Sequence, residues 1–488
     1  MLMKKLQFSV VTKTCLLAIA GMLAVSCAQD GFDDEAFSSD VKNADHLDSP
    51  TADDITITPN ADGSRQTIAW PLVKGAGGFE VKVNNLNDPD NIVVVVDSIV
   101  DGYSVTIARE EDTNYEVSIR TLGNTKLNNP DAATATVKAF STFTASFAVI
   151  PAGTDLYEYF QSNPVPDPAE DAESDEFIYD LEADGVYTLT QSLDFNYHKV
   201  TIRTTSKTNH AVINMGETAN FIASNDLTLN YVTINMPATN KKPLIELLNW
   251  DTAPDGILEK PGNYYLINYL RIMNSEINGL TGSLIFDNNK SWCVVTLMLK
   301  NVLMPLATVT ENIRNEAFIS FQGGVVKDFS MSNSTVYQTG EGNPKYFLRY
   351  NNSARVDRFG WTTSDRTTMT YANNTFYKVA SGNWANYSGM QNYTTYDIQN
   401  NIWYACGDGA IARRIMGGGR LGSGASAVWN NNTYWNAEGQ IDQGTYDTGT
   451  VLATDPAFAD PANGDFTPTG AEQVEKKTGD PRWFTTTE

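Results

Sequence analysis

Between positions 345 and 378 an otherwise acidic chain turns basic. Lys345, Arg349, Arg355, Arg358, Arg366 and Lys378 are set against only Asp357 and Asp365, and Arg413, Arg414 and Arg420 follow. Guanidinium forks pair bidentately with carboxylates, so such an island suits the reading of an acidic polymer. Trp361, Trp384, Tyr387, Trp403 and Tyr404 are interleaved with it. Flat rings cover the apolar faces of sugars while Asn and Arg bond the hydroxyls. The combination predicts a glycan groove lined by Arg349, Arg355, Arg358, Trp361, Arg366, Trp384, Tyr387, Trp403, Arg413 and Arg414. Two blander expectations stand beside it. Alternate aromatics in strands pack cores, and surface arginines pair with neighbouring carboxylates.

Other chemistry finds little support. The only histidines are His46, His198 and His210, none near a metal-like or nucleophile motif, which argues against zinc sites and histidine-based triads. Gly417-Gly418-Gly419-Arg420-Leu421-Gly422 formally satisfies GxGxxG, but no strand-to-helix unit surrounds it, and a loop is expected. The formal charge is −24, from 34 basic and 58 acidic residues. Such a surface is a poor partner for nucleic acid, which needs basic clusters.

The elements that must position the island carry a repeat. Seven segments share the pattern apolar-x-apolar-x-x-x-x-apolar: LTLNYVTI from Leu227, LRIMNSEI from Leu270, LMLKNVLM from Leu297, FSMSNSTV from Phe329, MTYANNTF from Met369, YDIQNNIW from Tyr396 and AVWNNNTY from Ala427. Asn stands fifth in six of them, at 274, 301, 333, 373, 400 and 431, with Tyr231 in the equivalent place of the first. The spacings of 27, 32, 40, 27 and 31 are those of a solenoid with variable insertions. Alternation within each segment predicts a strand with one buried face. The Asn after it suits a bend in the left-handed region, where equivalent amides of successive coils can bond one another.

The first 26 residues have the form of an export signal. Lys4, Lys5 and Lys13 precede an apolar run from Cys15 to Val25, too short for a permanent span, that closes on Leu23-Ala24-Val25-Ser26-Cys27. This closure resembles a bacterial lipoprotein box, which implies cleavage before Cys27 and acylation of its thiol; Ala24 stands where the box usually has Leu. Residues 27–50 read as an acidic tether. Acidic residues behind the lipidated Cys resemble the surface-export signal of Bacteroidota lipoproteins, implying an anchor on the outer face of the outer membrane. Cys293 and Cys406 lie in apolar, strand-like contexts and are expected as buried free thiols.

From 51 to 145 short strands recur at even spacing, IAW, GFEVKV, IVVVVD, YSVTIA, YEVSIRT and ATVKAF, separated by Gly, Asn, Asp and Pro turns. With Trp70 on an early strand and Tyr115 opening a later one, this stretch resembles a fibronectin type III module, expected to act as a spacer. After it, AVIPAGTDLYEYFQSN predicts a short helix capped by Thr154 that carries Leu156, Tyr159 and Phe160 on one side. That helix, an acidic Pro-rich loop, GVYTLTQSLDF and KVTIRTTS resemble the start of right-handed parallel β-helices of the pectate-lyase-like superfamily, in which a helix covers the first rung. TDPAFADPANGDFTP and GDPRW resemble the closing tail of related lipoproteins. The expected architecture is all-β: a β-sandwich, a right-handed parallel β-helix over 148–450 with an N-terminal capping helix, and a C-terminal tail over 451–488.

The Asp-Asp and Gly-His-Gly motifs of that superfamily's polygalacturonases are absent from the rungs, and the Trp-Ile-Asp-His segment of its pectate lyases is missing as well. The functional expectation is therefore a surface lipoprotein that binds plant cell-wall polysaccharide, pectic in kind, without a cofactor and alongside other glycan-uptake proteins of the outer membrane. The rival is a divergent polysaccharide lyase, with Arg349, Arg355, Arg358 or Arg366 as base and Asp357 or Asp365 holding calcium. A third class is an adhesive surface protein with no glycan ligand.

Overall fold

The computed structural model describes residues 41–484 apart from residue 62 and residues 89–90, 171–173, 251–258, 261–263, 309–316, 352–365, 388–393 and 418–424. The expected signal, Cys27 with its expected lipidation, and most of the expected tether lie outside the described residues. The chain divides into two compact units, with the change at Ser141/Thr142.

The first unit is built from seven strands: β1 (Thr56–Pro59), β2 (Arg65–Ala69), β3 (Ala76–Asn85), β4 (Val93–Val100), β5 (Ser104–Ala108), β6 (Asn114–Gly123) and β7 (Thr136–Ser141). β1-β2-β5 form one sheet and β4-β3-β6-β7 the other. Its core gathers the inward positions of both: Ile68, Trp70, Phe79, Val81, Val83, Ile107, Val117 and Ile119. Trp70 meets Phe79 edge-on, with ring centroids 5.4 Å apart. The Tyr115 hydroxyl accepts the Glu110 N–H at 3.3 Å, which ties the start of β6 to the preceding loop. The end of the expected tether is not free: Asn43 and Ala44 donate to Leu127 O and Asn129 Oδ1, and Leu47 is buried. Its polar backbone groups are met by the sandwich, so residues 43–49 belong to this unit.

The second unit is a parallel β-helix. Each coil supplies one strand to a first row, turns at a left-handed residue, supplies a strand to a second row and then one to a third. The rows pair parallel and in register: Leu229↔Ile272↔Leu299↔Met331↔Tyr371↔Ile398↔Trp429 in the first, Thr335↔Thr375↔Ile402↔Thr433 in the second. The third row runs from Leu193–Asp194 through Phe221–Ala223, Ile245–Leu247, Ile285–Phe286, Ala317–Ser320 and Tyr346–Arg349 to Ala385–Asn386. Parallel crossovers of this kind coil right-handedly. The turn residues Tyr231, Asn274, Asn301, Asn333, Asn373, Asn400 and Asn431 all have φ between 48° and 57°. Their amides form the expected ladder, Nδ2 to Oδ1, from Asn274 to Asn230, Asn301 to Asn274, Asn373 to Asn333, Asn400 to Asn373 and Asn431 to Asn400, at 2.9–3.1 Å.

A second ladder lies one residue further on and inside. Asn374, Asn401 and Asn432 are fully buried. The Asn374 amide donates to Asn401 Oδ1 at 2.9 Å, and the Asn401 amide to Asn432 Oδ1 at 3.1 Å. In YANNTF, IQNNIW and WNNNTY the Asn that follows the turn residue, at 374, 401 and 432, carries this ladder, which is not anticipated from the sequence.

The helix α1 (Leu156–Ser162) packs Leu156 and Phe160 against the first coil, where open backbone edges need cover. Its cap is Asp155, which accepts the Glu158 N–H at 3.1 Å, and not Thr154, whose hydroxyl donates to Pro151 O. A short helix, α2 (Ile411–Ile415), packs against Ala385–Asn386 and takes the place of a further third-row strand. The last parallel strand is Val451–Leu452. Beyond it come the hairpin Phe458–Asp460/Asp465–Pro468 and α3 (Ala471–Lys476).

Candidate functional site

The predicted groove falls into three groups. Arg355, Arg358 and Trp361, together with Asp357 and Asp365 of the lyase alternative, lie outside the described residues. Trp384, Tyr387 and Trp403 are core residues and do not line a groove. The Trp384 ring stacks on Phe347 with centroids 4.3 Å apart and planes 6° from parallel, and Trp403 stacks on Tyr434 at 5.2 Å and 4°. In-register coils set equivalent side chains at the strand spacing, about 4.7–4.9 Å, which is also a favourable distance for stacked rings. The Tyr387 hydroxyl donates to Ile415 O, and burial pushes its pKa well above the usual phenol range. Trp384 and Tyr387 flank a two-residue strand and Trp403 is the middle of a three-residue one, where too few positions exist for alternation to reveal the inward side.

Four arginines of the prediction remain. Arg349 ends a third-row strand, half-buried, in register with Ser320 and Asn386. Tyr346, Phe347 and Leu348 before it are all buried, which leaves Arg349 the one partly exposed residue of the strand. The exposed Arg366 opens a first-row strand, its Nη1 3.5 Å from Ser426 Oγ. Arg413 is exposed on α2. Arg414 is committed to Asp408, with Nε and Nη2 at 2.9 and 2.5 Å from one carboxylate oxygen. The lysines are engaged as well: Lys345 and Lys378 lie over the rings of Tyr346 and Tyr377, at 5.1 and 5.0 Å. Tyr404 stacks on Tyr377 at 5.1 Å and meets Phe458 of the C-terminal hairpin, so it too is packed. The compact island of the sequence is thus divided between two rows and a helix.

What the third row does present is a partly exposed side chain on three of its coils. Ile285, Ile319, Leu348 and Ala385 are buried; of the residues that follow them in register, Phe286, Arg349 and Asn386 are half-buried, whereas Ser320 is fully buried. An apolar ring, a guanidinium and an amide are therefore partly exposed along the coil axis.

A polar network not foreseen from the sequence crosses the outer face of the first row. Glu176 Oε1 accepts from Thr201 Oγ1 at 2.5 Å and lies 3.7 Å from Arg271 Nη2. Arg271 Nε donates to Thr228 Oγ1 at 3.0 Å, and its guanidinium covers the Tyr269 ring at 3.8 Å. Asp226 accepts the N–H groups of Asn268 and Tyr269 at 2.7 and 3.0 Å. Burial, then the Glu176 and Asp226 charges, raises the Tyr269 pKa above the usual phenol range. Each of these groups has a partner inside the network, which makes it a cross-link between coils. The residues joined across coils stand 25 to 95 positions apart, so no local motif could have shown it.

Among the described residues no cluster of His, Cys, Asp and Glu is arranged to hold a metal ion. Cys293 and Cys406 are buried and unbridged, and burial pushes the Cys406 thiol up to about 12, out of reach of thiolate chemistry near neutrality.

The strand order and register define an all-β protein whose second unit is a parallel β-helix. Models of three domains of unknown function match the chain in succession: DUF4992 over residues 1–184, DUF4957 over 185–339 and DUF5123 over 369–483. No curated protein matches it. Solved structures similar to it include a pectate lyase of Pectobacterium carotovorum, at 10% identity and a TM-score of 0.17, covering 64% of this chain and 88% of that one. A pectate lyase of Erwinia chrysanthemi, in complex with tetragalacturonic acid, matches at 9% identity and a TM-score of 0.14, covering 83% and 90%.

Proposed function

We propose that this chain is an outer-membrane surface lipoprotein that binds plant cell-wall polysaccharide, pectic in kind, along the outward side of the third row. The observation that carries the reading is the set of partly exposed side chains Phe286, Arg349 and Asn386 on one row, with the exposed Arg413 on the helix beyond. A linear polymer offers a repeating set of ring faces, hydroxyls and carboxylates. A row repeating at the strand spacing meets such a set unit by unit. The export segment ending at Cys27 and the acidic residues behind it support the lipid anchor. The strand order β1-β2-β5 and β4-β3-β6-β7 supports a fibronectin type III-like spacer. Docking on other glycan-uptake proteins of the outer membrane fits the same address.

Electrophoresis through gels containing polygalacturonate, galactan or arabinan tests the reading. Retardation by polygalacturonate, weakened in Arg349→Ala and Arg413→Ala, is the expected result. Unretarded migration in every gel refutes binding. Growth of the absorbance of an unsaturated uronide in the presence of calcium would make the protein a lyase instead.

A further inference from the structure

The C-terminal segment doubles back over the turn flank of the β-helix. Thr478 Oγ1 donates to Asn431 O, the Gly479 N–H to Asn400 O, and the Asp480 N–H to Thr375 Oγ1, at 3.2, 2.9 and 3.1 Å. Asp480 Oδ2 accepts from Thr335 Oγ1 at 2.8 Å, and Arg482 Nη2 reaches Asn301 Oδ1 at 3.1 Å. A few residues thus cross the coils that carry Asn431 back to Asn301. Between this strap, α3 and the outer asparagine ladder lies a cavity of about 690 Å³. That volume falls in the range of small-ligand pockets, roughly 300–1,000 Å³. The Asn373 and Asn400 amides line one side, Trp483 and Phe484 another, and Lys476 and Lys477 stand at the α3 end.

We infer that this cavity is a binding site for a short oligosaccharide bearing carboxylate groups. Three features converge on that chemistry. Each ladder amide has two N–H groups. Asn373 gives one to Asn333 Oδ1 and Asn400 one to Asn373 Oδ1, both at 3.1 Å, which leaves each a second donor. These donors repeat at the strand spacing, close to the length of one pyranose unit in a chain. The Trp483 ring is held in place by its Nε1 bond to Thr335 Oγ1 at 2.8 Å, and with Phe484 it supplies the flat apolar surface that a sugar ring covers. Lys476 is paired with Glu475 at 2.8 Å, whereas Lys477 forms no ion pair among the described residues. Lys477 follows α3 in the left-handed conformation, φ 50°, and is the cation placed for a ligand carboxylate.

The site goes beyond the third-row reading and uses none of its residues, so either can fail alone. Isothermal titration calorimetry on the full chain, with trigalacturonate and with neutral galactotriose as probes, tests it. Trigalacturonate is expected to bind at one site, and galactotriose at least roughly tenfold more weakly. Lys477→Gln and Phe484→Ala are each expected to weaken trigalacturonate roughly tenfold with an unchanged melting temperature, while Arg349→Ala leaves this binding intact. Absence of binding, equal affinity for the neutral probe, or indifference to both cavity substitutions overturns the inference.

Discussion

Replacing Asn401 by Ala removes the centre of the buried amide ladder, and its effect can be worked out bond by bond. Asn401 Oδ1 accepts the backbone N–H and the amide of Asn374 at 3.1 and 2.9 Å. Its Nδ2 lies 2.8, 2.9 and 3.1 Å from Tyr371 O, Gln399 O and Asn432 Oδ1. In Asn401→Ala the Asn374 N–H loses its acceptor in a fully buried setting, which costs about 1–3 kcal/mol. The Asn374 amide bond and the two that the Asn401 amide hydrogens can make, at roughly 0.5–1.5 kcal/mol each, bring the total to about 2.5–7.5 kcal/mol. The outer ladder supplies an internal control. Asn400→Gly keeps the left-handed turn, φ 57°, accessible and removes a part-buried amide whose bonds compete with water, for a cost below about 1.5 kcal/mol. Thermal unfolding followed by circular dichroism would separate the two variants by several degrees, at ~2–4 °C per kcal/mol for domains of this order of size. Hydrogen exchange should place the loss of protection in residues 369–404, since coils of a solenoid depend chiefly on their neighbours. If Asn401→Ala lowers the midpoint no more than Asn400→Gly does, the buried column does not contribute as argued.

Two further outcomes follow from buried carboxyl groups. Asp287 is fully buried and accepts the N–H groups of Asn289, Gly323 and Gly324 at 2.7–3.0 Å, yet burial outweighs these bonds and pushes its carboxyl up to about 6. A folded-state value above the unfolded 3.8 means that its stabilising contribution is whole below 3.8 and is lost as pH rises through about 6. Asp287→Asn should therefore flatten the fall in melting temperature between about pH 4 and pH 7, and an unaltered slope would contradict the assignment. Asp480 pins the strap: it is buried, accepts from Thr335, and lies 2.6 Å from Arg482 Nε. Asp480→Ala should release that segment at a cost of about 2–4 kcal/mol, seen as faster tryptic cleavage after Lys477 and Arg482; wild-type cleavage rates would rule this out.

The solenoid was legible because its signal is local. A residue with φ near +50° must tolerate the left-handed region, Asn does so at low cost, and the fixed phase between Asn and strand marked every turn from Asn274 to Asn431. The same holds for the buried thiols and for the capping helix, misjudged only in its cap. The groove was another matter. Trp384, Tyr387 and Trp403 looked like ligand-binding rings because they are interleaved with arginines, but the direction of a side chain on a two- or three-residue strand is decided by its neighbours in the adjoining coils.

The strand period and the turn chemistry are properties of short stretches of backbone, and the residues there suffice to state them. Which arginines face solvent, how Glu176 meets Arg271 across coils, and where residues 478–484 come to rest depend on contacts between positions 23 to 181 apart in the chain. Such contacts are set by register and by how far each insertion displaces the next coil. Only the folded stack contains that information.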